Sequence, residues 1–164
     1  METATSSARL QNGAPFPHLT IDAVGGGVIS LPGDLAGSYS VVLLYRGSWC
    51  PYCNAQLTAF SRAHDSLTEL GVKVVALSVD DEQTAAAFAN THALRFPVGH
   101  SADVEHIAAI TGAYFNREPK YFHSTGFVLD PEGRVITAVY SSGAIGRLLP
   151  ADVAGFVGYV KSQS

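Results

Sequence analysis

Only two of the 164 residues are cysteine, and the chain holds a single methionine and a single tryptophan. So few cysteines argue against the disulfide-dense scaffold of small secreted domains. Charge is sparse as well, with 15% charged residues against 47% hydrophobic and a formal net charge of −4. No cluster of lysine and arginine is present, so the electrostatic footprint of a nucleic-acid binder is missing. No apolar run approaches the ~20 residues that a membrane-spanning helix needs. Residues 1–17 are small and polar, with Arg9 the only early base, unlike a secretory signal with its apolar centre. These absences lead us to expect a cytoplasmic protein with neither nucleic acid nor membrane as partner. The length and apolar share suit one domain with a proper core.

The cysteines that are there stand three apart, in Trp49-Cys50-Pro51-Tyr52-Cys53. An apolar run, Val41 to Tyr45, precedes them, and helical periodicity (Leu57, Phe60, His64, Leu67) follows. Residues i and i+3 of a helix lie about 5–6 Å apart, inside the roughly 4.4–6.8 Å Cα separation that a disulfide accepts. Such a bond can form and break with little backbone movement. Pro51 suits the first helical position, where its missing N–H costs nothing. Both thiols then sit at a helix N-terminus, where unpaired N–H groups and the macrodipole favour a thiolate. A structural disulfide is a poor alternative, because so short a loop removes little unfolded-state entropy. Zinc would need two more ligands, and 46 residues separate Cys53 from His100 and its neighbour His106. No metal is expected. The spacing points to a redox-active dithiol.

Residues 1–14 read as a flexible arm and 15–164 as a single domain. His18 to Asp22 and Val28 to Leu31, joined by Gly25-Gly26-Gly27, predict a β-hairpin. A central strand at Val41 to Tyr45, buried on both faces, leads into a helix from Pro51 to about Leu70, closed by Gly71. Val72 to Val79 is a second central strand. Asp80 with Gln83 resembles a capping box for an Ala-rich helix to about Asn90 or Ala93. Ser101 is expected to cap a third helix ending at Gly112. Thr125 to Leu129 and Arg134 to Tyr140 form a hairpin through Asp130-Pro131-Glu132-Gly133, and a last helix opens at Pro150. Strands alternating with helices imply an α/β domain with a parallel centre and antiparallel edges.

This order, with C-x-x-C opening the first long helix, resembles the thioredoxin fold. The N-terminal hairpin, Asp80-Asp81-Glu82, Phe96-Pro97 and the strand Gly126-Phe127-Val128-Leu129-Asp130 are similar to the peroxiredoxin branch, the alkyl hydroperoxide reductase/thiol-specific antioxidant (redoxin) family. The local match is Tyr45-Arg46-Gly47-Ser48-Trp49-Cys50-Pro51-Tyr52-Cys53-Asn54-Ala55-Gln56-Leu57. The resemblance implies a thioredoxin-like, peroxiredoxin-type fold: a central mixed sheet flanked by helices, with an N-terminal β-hairpin. The family pattern P-x-x-x-T/S-x-x-C, laid on Cys53, puts Cys50 at the Thr/Ser position and Arg46 at the proline. The family's second-site arginine aligns with Ser124, where neither that arginine nor the thioredoxin proline stands. The acid of the thioredoxin strand is missing too.

Cys50 and Cys53 are the expected catalytic pair. Arg46 would stabilise a thiolate and hold a peroxide oxygen or a carboxylate, Trp49 would form a platform for a partner's disulfide, and Ser124 at the second-site position joins them as an activating or substrate-binding residue. The polar stretch Arg117, Lys120, Tyr121, His123 should approach the dithiol. The family implies reduction of peroxides with resolution as an internal disulfide; the alternative is exchange with protein disulfides, and a non-enzymatic redox sensor stands third. Thioredoxin logic selects Cys50 as nucleophile toward disulfides, on the ground of its greater exposure, while the peroxiredoxin alignment selects Cys53 toward peroxides. No cofactor is expected, only an external reductant (thioredoxin-type or a low-molecular-weight thiol). A homodimer is left open.

Overall fold

The computed structural model describes residues 3–4 and 8–163. Its strands are β1 (Thr3–Ala4), β2 (Leu19–Asp22), β3 (Val28–Leu31), β4 (Tyr39–Leu44), β5 (Val72–Leu77), β6 (Val98–Gly99), β7 (Phe115–Arg117), β8 (Lys120–Phe122), β9 (Thr125–Leu129) and β10 (Val135–Tyr140). Its helices are α1 (Pro51–Arg62), α2 (His64–Glu69), α3 (Glu82–Thr91), α4 (Val104–Thr111) and α5 (Pro150–Ser162). A five-stranded sheet runs in the order β10-β9-β4-β5-β6. Strands β4, β5 and β6 are parallel, and β9 and β10 add antiparallel partners on one side. This is the α/β architecture expected, with the N-terminal hairpin β2–β3 in the expected place.

The apolar run of β4 divides between two cores by its period of two. Val42 and Leu44 face Phe16, Leu31, Leu77, Phe122 and Phe127 on one side of the sheet. Val41, Leu43 and Tyr45 face Leu57, Phe60, Val157 and both cysteines on the other. Burial on both faces explains why the run carries no polar residue but Ser40, and why it must be central.

Three boundaries differ from the sequence reading. The first long helix divides at Ala63, whose ψ of 5° leaves the helical region, so α1 and α2 are separate. Helix α3 is capped by Asp81, whose carboxylate accepts from Thr84 N–H at 2.8 Å, which leaves Asp80 free to turn elsewhere. Helix α4 is capped by Asp103, not Ser101. At α3 and α4 the neighbouring carboxylate reaches the N3 amide, Thr84 and His106 respectively.

Residues 8–14 do not form the loose arm expected; the remaining residues of that stretch, apart from 3–4, lie outside the described residues. Gly13 N–H donates to Val135 O at 2.7 Å and Leu10 N–H to the Tyr140 hydroxyl at 2.9 Å. The Arg9 guanidinium lies 4.1 Å from the Tyr114 ring centre. Gly112, at φ +84°, ends α4 where any Cβ would collide with the Ala8 carbonyl. These ties are largely main-chain, so a polar, small-residue sequence does not announce them.

Candidate active site

Strand β4 carries the chain to Tyr45, whose N–H still bonds Leu77 O at 3.1 Å. The backbone then turns through Gly47 and Ser48, and Cys50 becomes the N-cap of α1 with Pro51 at the first helical position. Cys53 N–H donates to Cys50 Sγ at 3.4 Å, so the sulfur itself takes the place of the usual capping oxygen. Both cysteines are free thiols and both are 0% exposed. Exposure therefore does not distinguish them, contrary to the greater exposure expected for Cys50.

Ionisation does distinguish them. Burial pushes the Cys50 thiol up, but hydrogen bonds from the Cys53 side chain and N–H, a bond from Arg46 and the charge of Arg147 outweigh it, and the net shift is down. For Cys53 burial leads and the hydrogen bond to Cys50 adds to it, so its thiol is raised despite the opposing charge of Arg147. The pair thus holds its first negative charge on Cys50.

Arg46 lies where the sequence places it. Its Nη1 is 3.9 Å from Cys50 Sγ, its Nη2 donates to the Tyr121 hydroxyl at 3.3 Å, and its main-chain N–H donates to Cys53 Sγ at 3.4 Å. The guanidinium lies over Trp49 and Tyr121, 4.9 and 5.1 Å from the ring centres. Trp49 is 55% exposed and meets Tyr121 edge-on at 5.0 Å. Of the polar stretch expected near the dithiol, Tyr121 arrives at the site through β8 and His123 packs edge-on against it. Lys120 instead pairs with Glu105 at 3.0 Å. Ser124 is buried but serves the site through its backbone: its N–H donates to Gly143 O and its carbonyl accepts from Ser141 N–H. It makes no bond to either sulfur.

Those Ser124 bonds hold the start of a loop that sequence reasoning missed. Residues 141–149 carry Arg147 onto the dithiol, with Nη2 3.2 Å from Cys53 Sγ and 3.7 Å from Cys50 Sγ. Three further bonds fix its guanidinium: Nη1 to Gln56 Oε1 at 2.8 Å, and Nε and Nη2 to Ala144 O at 2.9 and 2.6 Å. Gln56 also donates to Leu148 O at 2.9 Å, so one side chain of α1 grips the loop twice. Leu148 is buried against Gly126, where an added Cβ would stand 2.7 Å from Leu148 Cδ1.

Asp80, freed from capping, accepts from Ser48 N–H at 2.9 Å and braces the turn before the dithiol. Burial raises its pKa, opposed by that bond. Among the described residues no group of three or more His, Cys, Asp or Glu side chains is placed to hold a metal. None of the helices described is long and apolar enough to cross a membrane.

The site is a buried dithiol between two guanidinium groups at a helix entrance. The model of the AhpC/TSA family matches residues 12–138. The chain belongs to the AhpC/TSA family. Among its relatives, a peroxiredoxin of Methanothermobacter thermautotrophicus is 26% identical over 144 residues, covering 84% of this chain and 68% of the relative. The thiol-disulfide oxidoreductase ResA of Bacillus anthracis is 28% identical over 133 residues, covering 80% and 70%. The crystal structure of peroxidoxin BcpB from Mycobacterium tuberculosis superposes with a TM-score of 0.78 at 18% identity, over 95% of this chain and 99% of that one. As an AhpC/TSA protein the chain is a thiol-dependent oxidoreductase of peroxiredoxin type, on a thioredoxin-like fold.

Proposed function

We propose that the chain reduces small peroxides with Cys50 as the attacking thiol and Cys53 as the resolving one. The observation that carries the assignment is that Cys50 Sγ, the N-cap of α1, accepts the Cys53 N–H at 3.4 Å with Arg46 and Arg147 nitrogens at 3.9 and 3.7 Å, a setting that lowers its pKa while burial raises that of Cys53. The Cys50 thiolate attacks one peroxide oxygen, the O–O bond breaks, and the sulfur becomes a sulfenic acid. The second oxygen leaves with a proton as alcohol or water. Charge gathers on that leaving oxygen in the transition state, where N–H groups of Arg46 and Arg147 are placed to stabilise it. Cys53 then attacks the Cys50 sulfur, an S–S bond forms and water is released. Two electrons and two protons from an external thiol reductant, of thioredoxin type or of low molecular weight, restore the pair. No bound cofactor takes part, and the cytoplasm, which keeps thiols reduced, suits the cycle.

This reading moves the peroxide step from Cys53, where the family alignment had it, to Cys50. Neither residue has exposed surface, so the argument from exposure gives way to the argument from charge. Peroxide-dependent oxidation of NADPH in a thioredoxin/thioredoxin reductase system tests the proposal; turnover is expected with hydrogen peroxide and with organic hydroperoxides. The exposed Trp49 and Tyr52 on either side of Cys50 support a second reading, exchange with protein disulfides. Reduction of insulin without peroxide turnover would select it.

A first test of the electrostatics concerns Arg46. Because the Cys50 pKa is depressed, its thiolate persists at pH values below the usual thiol range of about 8.5. Arg46→Ala is expected to move the midpoint of the pH profile of iodoacetamide alkylation upward and to slow reaction at neutral pH. The rates should converge well above the midpoint, where both proteins are ionised. Arg46→Lys should restore part of the shift, since it keeps the charge and loses the planar fork. Superimposable profiles for all three proteins would remove Arg46 from the account.

A further inference from the structure

The site holds more positive charge than its thiolate can balance. Two guanidinium groups lie within 3.9 Å of a sulfur, while the ionisation order provides one anion, on Cys50. Among the described residues neither Arg46 nor Arg147 has a carboxylate partner. Arg147 is held by an amide oxygen and a carbonyl, and Arg46 by a phenol and two aromatic faces. The Nε of Arg46 is buried without a hydrogen-bond partner. Asp80, the acid nearest the turn, is engaged by Ser48 N–H. His123 does not add to the count as a cation, because burial and then the Arg46 charge lower its pKa. Once Cys50 is oxidised, both guanidinium charges stand without an anion.

We infer that the site selects small oxidants carrying a carboxylate or similar anionic group beside the O–O or S–S bond, held by Arg46 and Arg147. The inference rests on the dithiol chemistry proposed above and names its substrate class. A neutral peroxide uses the guanidinium groups only for the charge that develops during reaction. An anionic one compensates the surplus charge from the moment it binds, through charge-assisted N–H···O bonds from the two guanidinium groups.

Competitive labelling by iodoacetate and iodoacetamide isolates the effect. The two reagents are similar in size and attack the same thiolate, so their rate ratio cancels both the thiolate fraction and the burial of the sulfur. One uncompensated charge a few ångströms away supports about a tenfold preference. The iodoacetate/iodoacetamide ratio at Cys50 is expected to exceed that of the neutral thiol 2-mercaptoethanol by about that factor. It should fall severalfold in Arg147→Gln and in Arg46→Gln. It should also fall in the unmodified protein at ~1 M salt, where the Debye length is about 3 Å; that arm needs no variant to fold. Monoperoxyphthalate against perbenzoic acid, and 5,5′-dithiobis(2-nitrobenzoate) against 4,4′-dithiodipyridine, then show whether the anion is carried by a peroxide or by a disulfide. A labelling ratio equal to that of 2-mercaptoethanol and insensitive to salt overturns anion selection, whatever the oxidants do. A raised ratio with no oxidation by any of the four oxidants leaves anion selection standing and overturns the redox proposal instead.

Discussion

Cys50→Ser is expected to lose nearly all rapid reaction with hydrogen peroxide, while Cys53→Ser keeps a first oxidation step within a few-fold of the unmodified protein. The difference arises from what each sulfur accepts. Cys50 Sγ takes the Cys53 N–H, and that main-chain donor survives when the side chain at position 53 changes. Serine at position 53 also keeps a hydroxyl that can donate where the thiol did. The thiolate at position 50 thus retains its N-cap bond and its two guanidinium neighbours. In the opposite variant the remaining thiol is the one whose pKa burial raises, so little of it ionises at neutral pH, and the thiolate is the nucleophile. Cys53→Ser should stop at a sulfenic acid, trapped by dimedone and passing to sulfinic acid with excess peroxide. Rapid oxidation of Cys50→Ser, with Cys53→Ser inert, would instead restore the assignment drawn from the family pattern.

Arg147→Met should slow peroxide oxidation by about ten- to a hundredfold. A hydrogen bond from a charged donor contributes about 1.5–3 kcal/mol, and each 1.4 kcal/mol is a factor of ten. Part of the loss comes from a higher Cys50 pKa, and this part disappears at high pH. The remainder reflects the leaving oxygen and persists there, so the pH profile separates the two. Gln56→Leu should reproduce some of the defect, because Gln56 anchors both Arg147 and the Leu148 carbonyl. Gly126→Val should do so as well, by pushing Leu148 off the sheet and carrying Arg147 with it. An Arg147→Met enzyme with unmodified kinetics would show that the guanidinium only fills space.

The architecture was legible because Val41 to Leu44 of β4 and Val74 to Leu77 of β5 are continuous apolar runs and the turn residues between elements are strong. The dithiol and Arg46 were legible because they are local, within eight residues of one another along the chain. Arg147 was not. It lies 94 residues beyond Cys53 in a Ser- and Gly-containing stretch that reads as a connection. What brings it back is register: Leu44 at the end of β4 pairs with Thr125, and Thr125 pairs with Tyr140 at the end of β10. The chain leaving β10 therefore emerges beside the start of α1, whatever the loop's composition. The resemblance in the sequence points to Ser124, one strand away, and Ser124 does hold that loop by its backbone. Asp80 was concealed for a smaller reason, since two adjacent aspartates can each cap a helix and only the geometry tells which one does.

The most direct measurement of the central claim is a single turnover of the reduced protein with one equivalent of hydrogen peroxide, followed by intact mass at matched times. The account predicts a loss of about two hydrogens, an internal Cys50–Cys53 bond without covalent dimer, and a rate far above that of a small thiol at the same pH. A dithiol that survives the peroxide, or one that oxidises no faster than 2-mercaptoethanol, would contradict it.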